Sequence, residues 1–342
     1  AAAFTSRLLH LIILPTEQCN FRCTYCYEDF FLGQMRPGVV RGIKALTSER
    51  APELDGLNIS WFGGEPLVAR RLVLDLSEHF QSLADEHGSL SYSAHMTTNG
   101  YLLDLPLARR LVGLGVRDYQ ISLDGPPAIH DETRVKQNGA GTFRQIWGNL
   151  RAFRDSGLDA KFMIRVHFTP HTYKRLEPLI EMLNKEFGGD MRFPIYFKPV
   201  ERLGGPDDDQ MPVFHNDAEK DAVKQYLDSL LTSEKQAYHQ GSGKTYICYA
   251  ARPNSLLIRP NGELGKCTVA LYDARNRLGS LNEDGTIDID QDKLRIWLRG
   301  FQSLNEQELG CPYATMEQAF VENRGRYDTL AVRKTLPLLT TS

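Results

Sequence analysis

The chain reads as an α/β protein, a partial (β/α)6 barrel followed by a small α+β extension, and three observations predict it. Short apolar or β-rich runs alternate with helical stretches six times before residue 200, the pattern of βα units that build a parallel sheet. Clusters of glycine, cysteine and polar residues follow directly after those runs, on the carboxyl-end rim where barrel folds gather their working residues. Beyond Val200 the texture changes to a loop-rich stretch and then to a second region with cysteines of its own. A chain of 342 residues has room for one large domain with an appendage and can bury a substantial core.

The apolar runs predict strands over residues 8–14, 57–62, 91–97, 118–123, 161–168 and 192–200. Between them, residues 67–87 carry Leu72, Val73, Leu76, Phe80 and Leu83 at helical spacing. Residues 142–156 and 173–187 read the same way, each followed by a glycine stop, Gly157 and Gly188. Residues 201–210 are loop-like, 217–231 predict a helix, and Gly241-Ser-Gly243 forms a flexible joint. Residues 255–259 and 263–269 read as a hairpin turning at Pro260-Asn-Gly262. The expected organisation is therefore a barrel over 7–203, a linker and helix over 204–243, and a hairpin-plus-helix region with a tail over 244–342.

A formal net charge of −3 gives no electrostatic footprint for nucleic acid, and the only short acidic cluster, residues 207–209, fits a solvated loop. No apolar stretch reaches the length of a membrane span, and the first residues lack the build of a secretory signal. Cysteines grouped as ligands, without a disulfide framework, point to a reducing cytoplasm.

Cys19, Cys23 and Cys26 follow the first strand in the run Pro15-Thr-Glu-Gln-Cys-Asn-Phe-Arg-Cys-Thr-Tyr-Cys-Tyr27. A 4Fe-4S cluster is usually held by four thiolates, so three in a compact loop leave one iron open to a ligand that is not protein. Zinc is the rival, but the nearest histidine on the C-terminal side is His79 and no second Cys-x-x-Cys pair stands nearby. Small buried apolar cysteines are the plainer alternative.

This cysteine spacing, with Gly63-Gly-Glu-Pro66 at the next strand end, resembles the radical S-adenosylmethionine (SAM) enzymes over roughly residues 7–311. The resemblance implies a partial TIM barrel whose open iron binds the amino and carboxylate groups of SAM. One electron then breaks a carbon–sulfur bond, and the resulting 5′-deoxyadenosyl radical abstracts a substrate hydrogen. It assigns Cys19, Cys23 and Cys26 to the cluster, and Tyr25, Gly63, Gly64, Glu65 and Pro66 to SAM, with the glycines allowing close backbone approach. The stretch Ser122-Leu-Asp-Gly-Pro-Pro-Ala-Ile-His-Asp-Glu-Thr-Arg134 looks like the matching segment of sulfatase-maturing and peptide-modifying members. There the serine and arginine contact SAM, so Ser122 and Arg134 take those roles, the arginine pairing with a carboxylate. Asp124, His130 and Asp131 fit caps or loop organisers, with Asp124 also a candidate for catalysis.

Cys248, thirteen residues, Gly262, four residues, Cys267 resembles the opening of the auxiliary-cluster extension called SPASM, or its shorter form, the twitch. The full pattern needs more cysteines than the one that follows, Cys311 in Gly310-Cys-Pro-Tyr-Ala314. The resemblance thus implies one auxiliary 4Fe-4S cluster on Cys248, Cys267 and Cys311, its fourth iron open or closed by an unidentified side chain; buried cysteines or a vestigial site are the alternative.

The resemblance favours an oxidoreductase- or lyase-type enzyme that modifies a peptide or small protein in ribosomal natural-product (RiPP) maturation, by crosslinking, oxidation, epimerisation or excision. It implies an external flavodoxin- or ferredoxin-like electron donor. The first strand begins near Leu8, so leader recognition is expected from a separate binding protein or from the barrel rim. Lys198, Glu201 and Arg202, after the sixth strand, are candidate substrate contacts, with a salt-bridged connection as the alternative. A small-molecule radical dehydrogenase with one auxiliary cluster and a non-catalytic iron-sulfur or zinc module are the other readings.

Overall fold

In the computed structural model the described residues are 5–204, 208–232 and 246–316. The joint at Gly241-Ser-Gly243, the first aspartate of the acidic cluster and the tail after Met316 lie outside them. The strands are β1 Leu8–Ile13, β2 Phe21–Cys23, β3 Gly56–Trp61, β4 Ser91–Thr98, β5 Val116–Leu123, β6 Arg134–Lys136, β7 Lys161–Phe168, β8 Ile195–Pro199, β9 Ser255–Ile258, β10 Glu263–Gly265, β11 Gly279–Leu281 and β12 Ile287–Ile289. The helices are α1 Pro37–Arg50, α2 Arg70–Glu86, α3 Leu105–Gly113, α4 Pro127–Thr133, α5 Phe143–Asp155, α6 Glu177–Phe187, α7 Asp217–Ser229, α8 Gln291–Leu298, α9 Gly300–Ser303 and α10 Glu306–Gly310.

Strands β1, β3, β4, β5, β7 and β8 are neighbours in that order and pair in parallel, giving the expected partial (β/α)6 barrel. The alternation along each strand sets its two faces. Leu9, Leu11 and Ile13, Leu57, Ile59 and Trp61, and Phe162, Ile164 and Val166 belong to the apolar core shared with the helices. The alternate positions, among them His10, Ser60, His95, Ser122, Arg165 and Lys198, point to the concave side, which is therefore polar. Helix α2 buries Leu72, Val73, Leu76, Phe80 and Leu83 against this core. Asp104 caps α3 by accepting from the Leu107 amide at 2.9 Å.

The C-terminal hairpin joins the same sheet. β9 lies parallel to β1 on the side opposite β3, and β10, β11 and β12 continue antiparallel from it. The turn at Pro260 to Gly262 falls where expected, but β10 ends at Gly265, and a second hairpin, β11–β12, precedes α8. Among the described residues β8 and β12 are the two edges of the ten-stranded sheet, so the barrel stays open.

Candidate active site

Carboxyl ends of the six barrel strands converge on one cavity of about 970 Å³, its open mouth included. The loop after β1 brings Cys19, Cys23 and Cys26; β3 brings Gly63 and Gly64; β4 Thr97 to Asn99; β5 Ser122; β7 Arg165 and His167; and β8 Lys198 to Glu201. The three predicted cysteines thus share one wall with the predicted glycines, Ser122 and Arg134.

A two-stranded ribbon shapes the cysteine loop. β2 pairs antiparallel with β6 in a register that sets Cys23 opposite Arg134. The Phe21 amide donates to Cys19 Sγ at 3.3 Å, and Asn99 Nδ2 lies 3.8 Å from the same sulfur. Burial pushes the Cys19 and Cys26 thiols up to about 12 and raises Cys23 as well. Thiols so buried do not ionise unaided, whereas a coordinated metal deprotonates its thiol ligands outright.

The strap after β3 is fixed by close approach of backbone. A Cβ on Gly63, whose φ is +117°, would stand 2.2 Å from the Thr16 carbonyl oxygen, and one on Gly64 2.5 Å from that of Glu17. Neither Glu65 nor Pro66 reaches the cavity wall. Glu65 is fully buried, and its carboxylate accepts from the amides of Leu67 and Asn99 and from the Thr98 hydroxyl. Glu65 thereby ties the strap to the end of β4.

Behind Ser122 and Arg134 lies a network of buried polar groups. Arg134 Nη1 donates to the Tyr25 hydroxyl at 2.7 Å, which donates to Asp124 Oδ1 at 2.9 Å. Asp124 also accepts from the Thr133 hydroxyl at 2.7 Å and pairs with His167 Nδ1 at 3.1 Å. Burial alone would raise the Asp124 carboxyl, but the hydrogen bond from His167 and the charge of Arg134 outweigh it and hold it well below the carboxylate range. Burial and the neighbouring Arg165 bring His167 down to about 4, so it is neutral at pH 7. Asp124 sits beneath the residues that line the cavity, behind Tyr25 and His167. Buried Arg134 Nε has no partner among the described residues, and Arg165 Nε bonds only the Ser122 hydroxyl, at 3.2 Å. Among the described residues neither guanidinium forms an ion pair, and both line the cavity.

Lys198 and Glu201 line the mouth as an ion pair, while Arg202 donates to the Asp209 carbonyl at 3.1 Å. Sequence reasoning missed Arg165, His167, Tyr27 and Glu28. The first two had a signal: polar residues two apart at the end of an otherwise apolar strand share a face with the rim. Glu28 is buried, one carboxylate oxygen has no partner among the described residues, and burial beside Glu17 pushes it up to about 8.

The profile of the radical SAM superfamily matches residues 13–183, half of the chain, and takes in the cysteine loop, the strap, Ser122 and Arg134. The chain belongs to the radical SAM superfamily. Among curated relatives, a GTP 3′,8-cyclase of Nostoc punctiforme is 32% identical over 157 residues, 44% of this chain and 45% of that protein. A cysteine-type anaerobic sulfatase-maturating enzyme of Clostridium novyi is 23% identical over 215 residues, 58% of this chain and 53% of that one. The matched stretches thus span about half the length of these relatives. The fold is shared with native anSMEcpe solved with bound AdoMet and Cp18Cys peptide, at a TM-score of 0.61 and 21% identity over 84% of this chain and 80% of that one. It is also shared with Streptococcus suis SuiB bound to precursor peptide SuiA, at 0.60 and 15% over 88% and 68%.

Radical SAM membership implies SAM and one 4Fe-4S cluster, and the residues present fit both. Three thiols that need a metal to ionise, an unpartnered guanidinium nitrogen and a strap without side chains surround one space.

The second cysteine set is also drawn together. Cys248 donates its amide to Leu309 O at 2.9 Å, just before Cys311, whose amide bonds Gln307 O at 2.8 Å. Asn276 Oδ1 accepts from the amides of Lys266 and Cys267, and its Nδ2 donates to Cys267 O and Ala270 O, clamping the turn. Burial pushes the Cys267 thiol up to about 11, with Cys248 and Cys311 near enough to add to the shift. Tyr27, on the cavity wall, is held far above the phenol range by burial first, then by Glu28 and Tyr249, with smaller effects from Cys26 and Cys267. It therefore stands within electrostatic reach of both cysteine sets.

Proposed function

We propose that this chain is a radical SAM enzyme that modifies a peptide by hydrogen abstraction. The observation that carries this reading is the extent of the fold match. Likeness to two structures solved with peptides covers 84% and 88% of the chain, and in sequence the sulfatase-maturating relative matches over 58% of it. The proposed division is a barrel over 7–203, a link over 204–243 and an auxiliary-cluster region over 244–342. When bound, the cluster and SAM supply a carbon-centred radical. The chain's own residues would do the rest. Cys19, Cys23 and Cys26 hold the cluster, the Gly63–Gly64 backbone meets the SAM amine, and Ser122 and Arg134 meet its carboxylate, with Tyr25 orienting the guanidinium. Arg165 supplies a second cation. His167, neutral and with its Nδ1 engaged by Asp124, leaves Nε2 to accept a hydrogen bond from a ligand in the cavity.

Cys248, Cys267 and Cys311 would hold one auxiliary 4Fe-4S cluster, reduced by a flavodoxin- or ferredoxin-like donor, and a separate leader-binding protein would deliver the peptide. The cyclase relatives favour a second reading, a small-molecule substrate. Anaerobic reconstitution followed by reduction with SAM and candidate precursor peptides separates the two. A peptide mass change accompanied by 5′-deoxyadenosine supports peptide modification. Turnover of a nucleotide or sugar with every peptide unchanged overturns it.

A further inference from the structure

Arg165 sits on the concave face of β7, between two neighbouring strands. Ser122 stands opposite it on β5 and Tyr196 on β8, and two residues nearer the rim His167 stands opposite Lys198. Arg165 Nε donates to the Ser122 hydroxyl at 3.2 Å. Its two terminal nitrogens have no hydrogen-bond partner among the described residues, and the half-buried side chain lines the cavity. The acids around it are engaged elsewhere. Asp124 is taken by Tyr25, Thr133 and His167, and Glu65 by Thr98 and Asn99. Glu28 lies on the side of Glu17 and Arg259. At the mouth, Glu201 is shared between Lys198 and, at 3.6 Å, Lys220.

A guanidinium does not give up its charge in a protein, so one partly withdrawn from water with no anion beside it calls for an anionic ligand. Its planar fork matches a carboxylate through two parallel bonds. SAM brings one carboxylate, for which Arg134 with Ser122 suffices. Arg165 stands on the far side of Ser122 from that pair's ribbon, toward β8 and a mouth where two lysines share one acid. We propose that Arg165 is a specificity-determining contact for a carboxylate of the substrate: the peptide presents an acidic group, a side chain or its own C-terminus, at or beside the residue that loses hydrogen. SAM and that group share one cavity of about 970 Å³, so only groups next to the reacting residue reach Arg165. This rests on the reading of the chain as a peptide-modifying enzyme.

The test uses the full chain, reconstituted anaerobically and reduced with SAM and precursor peptides. If the parent modifies none of them, the peptide reading and the inference fall together. A peptide that is modified is then remade with each Asp or Glu changed in turn to its amide, and once with an amidated C-terminus. One of these, at or adjacent to the modified residue, should lose about ten- to a hundredfold in kcat/KM, mainly through KM; which one it is separates side chain from terminus. Arg165→Gln should erase the difference, the acid and amide peptides then reacting within about twofold of each other, and Arg165→Lys should restore part of it. If the parent handles every amide peptide as it does the acidic one, the inference is overturned and the peptide reading stands. That arm needs no variant, so a substitution that fails to fold does not shelter the inference. Discrimination that survives in Arg165→Gln also overturns it, and a fall in SAM affinity there would assign the guanidinium to SAM instead.

Discussion

At the scale of single residues, the cavity wall is organised by protons that cannot move freely. Arg134 is held by the Tyr25 hydroxyl and keeps Nε unpartnered, which suits a carboxylate. Hydrogen bonds to charged groups contribute about 1.5–3 kcal/mol. Arg134→Gln should therefore weaken SAM binding about ten- to a hundredfold, measured by equilibrium binding to the reconstituted protein. Arg202→Gln, whose guanidinium lies off the wall, should leave binding unchanged. His130 provides a pH prediction. Its Nδ1 accepts from the Asp124 amide at 3.3 Å, and its Nε2 meets the Thr142 hydroxyl, which itself donates to Arg134 O. Protonation of Nδ1 would set one N–H against another, and burial already lowers the residue to about 4. The unfolded chain, with His near 6.5, then takes up the proton first as pH falls, so stability is full above that value and is lost toward pH 4. The loss is about 1.4 kcal/mol per pH unit for each such histidine. Denaturant midpoints between pH 7.5 and 5.5 should slope less steeply in His130→Gln than in the parent.

At the scale of elements, the strap after β3 works because two glycines let it lie on the backbone of the cysteine loop. Gly63→Ala adds a Cβ at positive φ, 2.2 Å from Thr16 O, and neither backbone can yield without moving Cys19. Iron retention and SAM affinity should both fall at least tenfold, whereas Gly33→Ala, with nothing within 4 Å, should match the parent in both. The strap also shows what could be read in advance. Six strands were legible within about three residues at each end, because long apolar runs punctuated by glycine have one stable arrangement in an α/β layer. The ribbon of β2 and β6, three residues each, was not, since three residues carry no period. That ribbon sets the register of Cys23 with Arg134. Glu65 was legible as part of a motif, but its burial depends on Thr98 and Asn99, thirty-three and thirty-four positions away, a pairing no local pattern encodes.

At the scale of the molecule, the C-terminal hairpin and the barrel form one sheet, and the junction lies beside the cysteine loop. Arg259, at the end of β9, donates to Glu17 Oε1 at 2.8 Å, two residues before Cys19, and both side chains are buried. Glu17 in turn accepts from the Leu32 amide at 3.2 Å, closing the loop that carries all three cysteines. A pair buried this deeply contributes little net stability, because desolvation of two charges consumes most of their attraction. Its effect is conditional: removing one partner strands the other. Arg259→Met should cost about 3–5 kcal/mol by leaving the buried Glu17 carboxylate without its cation, with Glu263 losing the same partner. Glu17→Gln combined with Arg259→Met should recover part of that loss, since the stranded charge is gone. Denaturant unfolding of the parent, both single variants and the double variant closes the cycle. A coupling near zero would mean that the extension and the cysteine loop are independent units joined only through the β1–β9 ladder. A coupling of about 1 kcal/mol or more would make this ion pair the link through which the C-terminal region holds the loop in place.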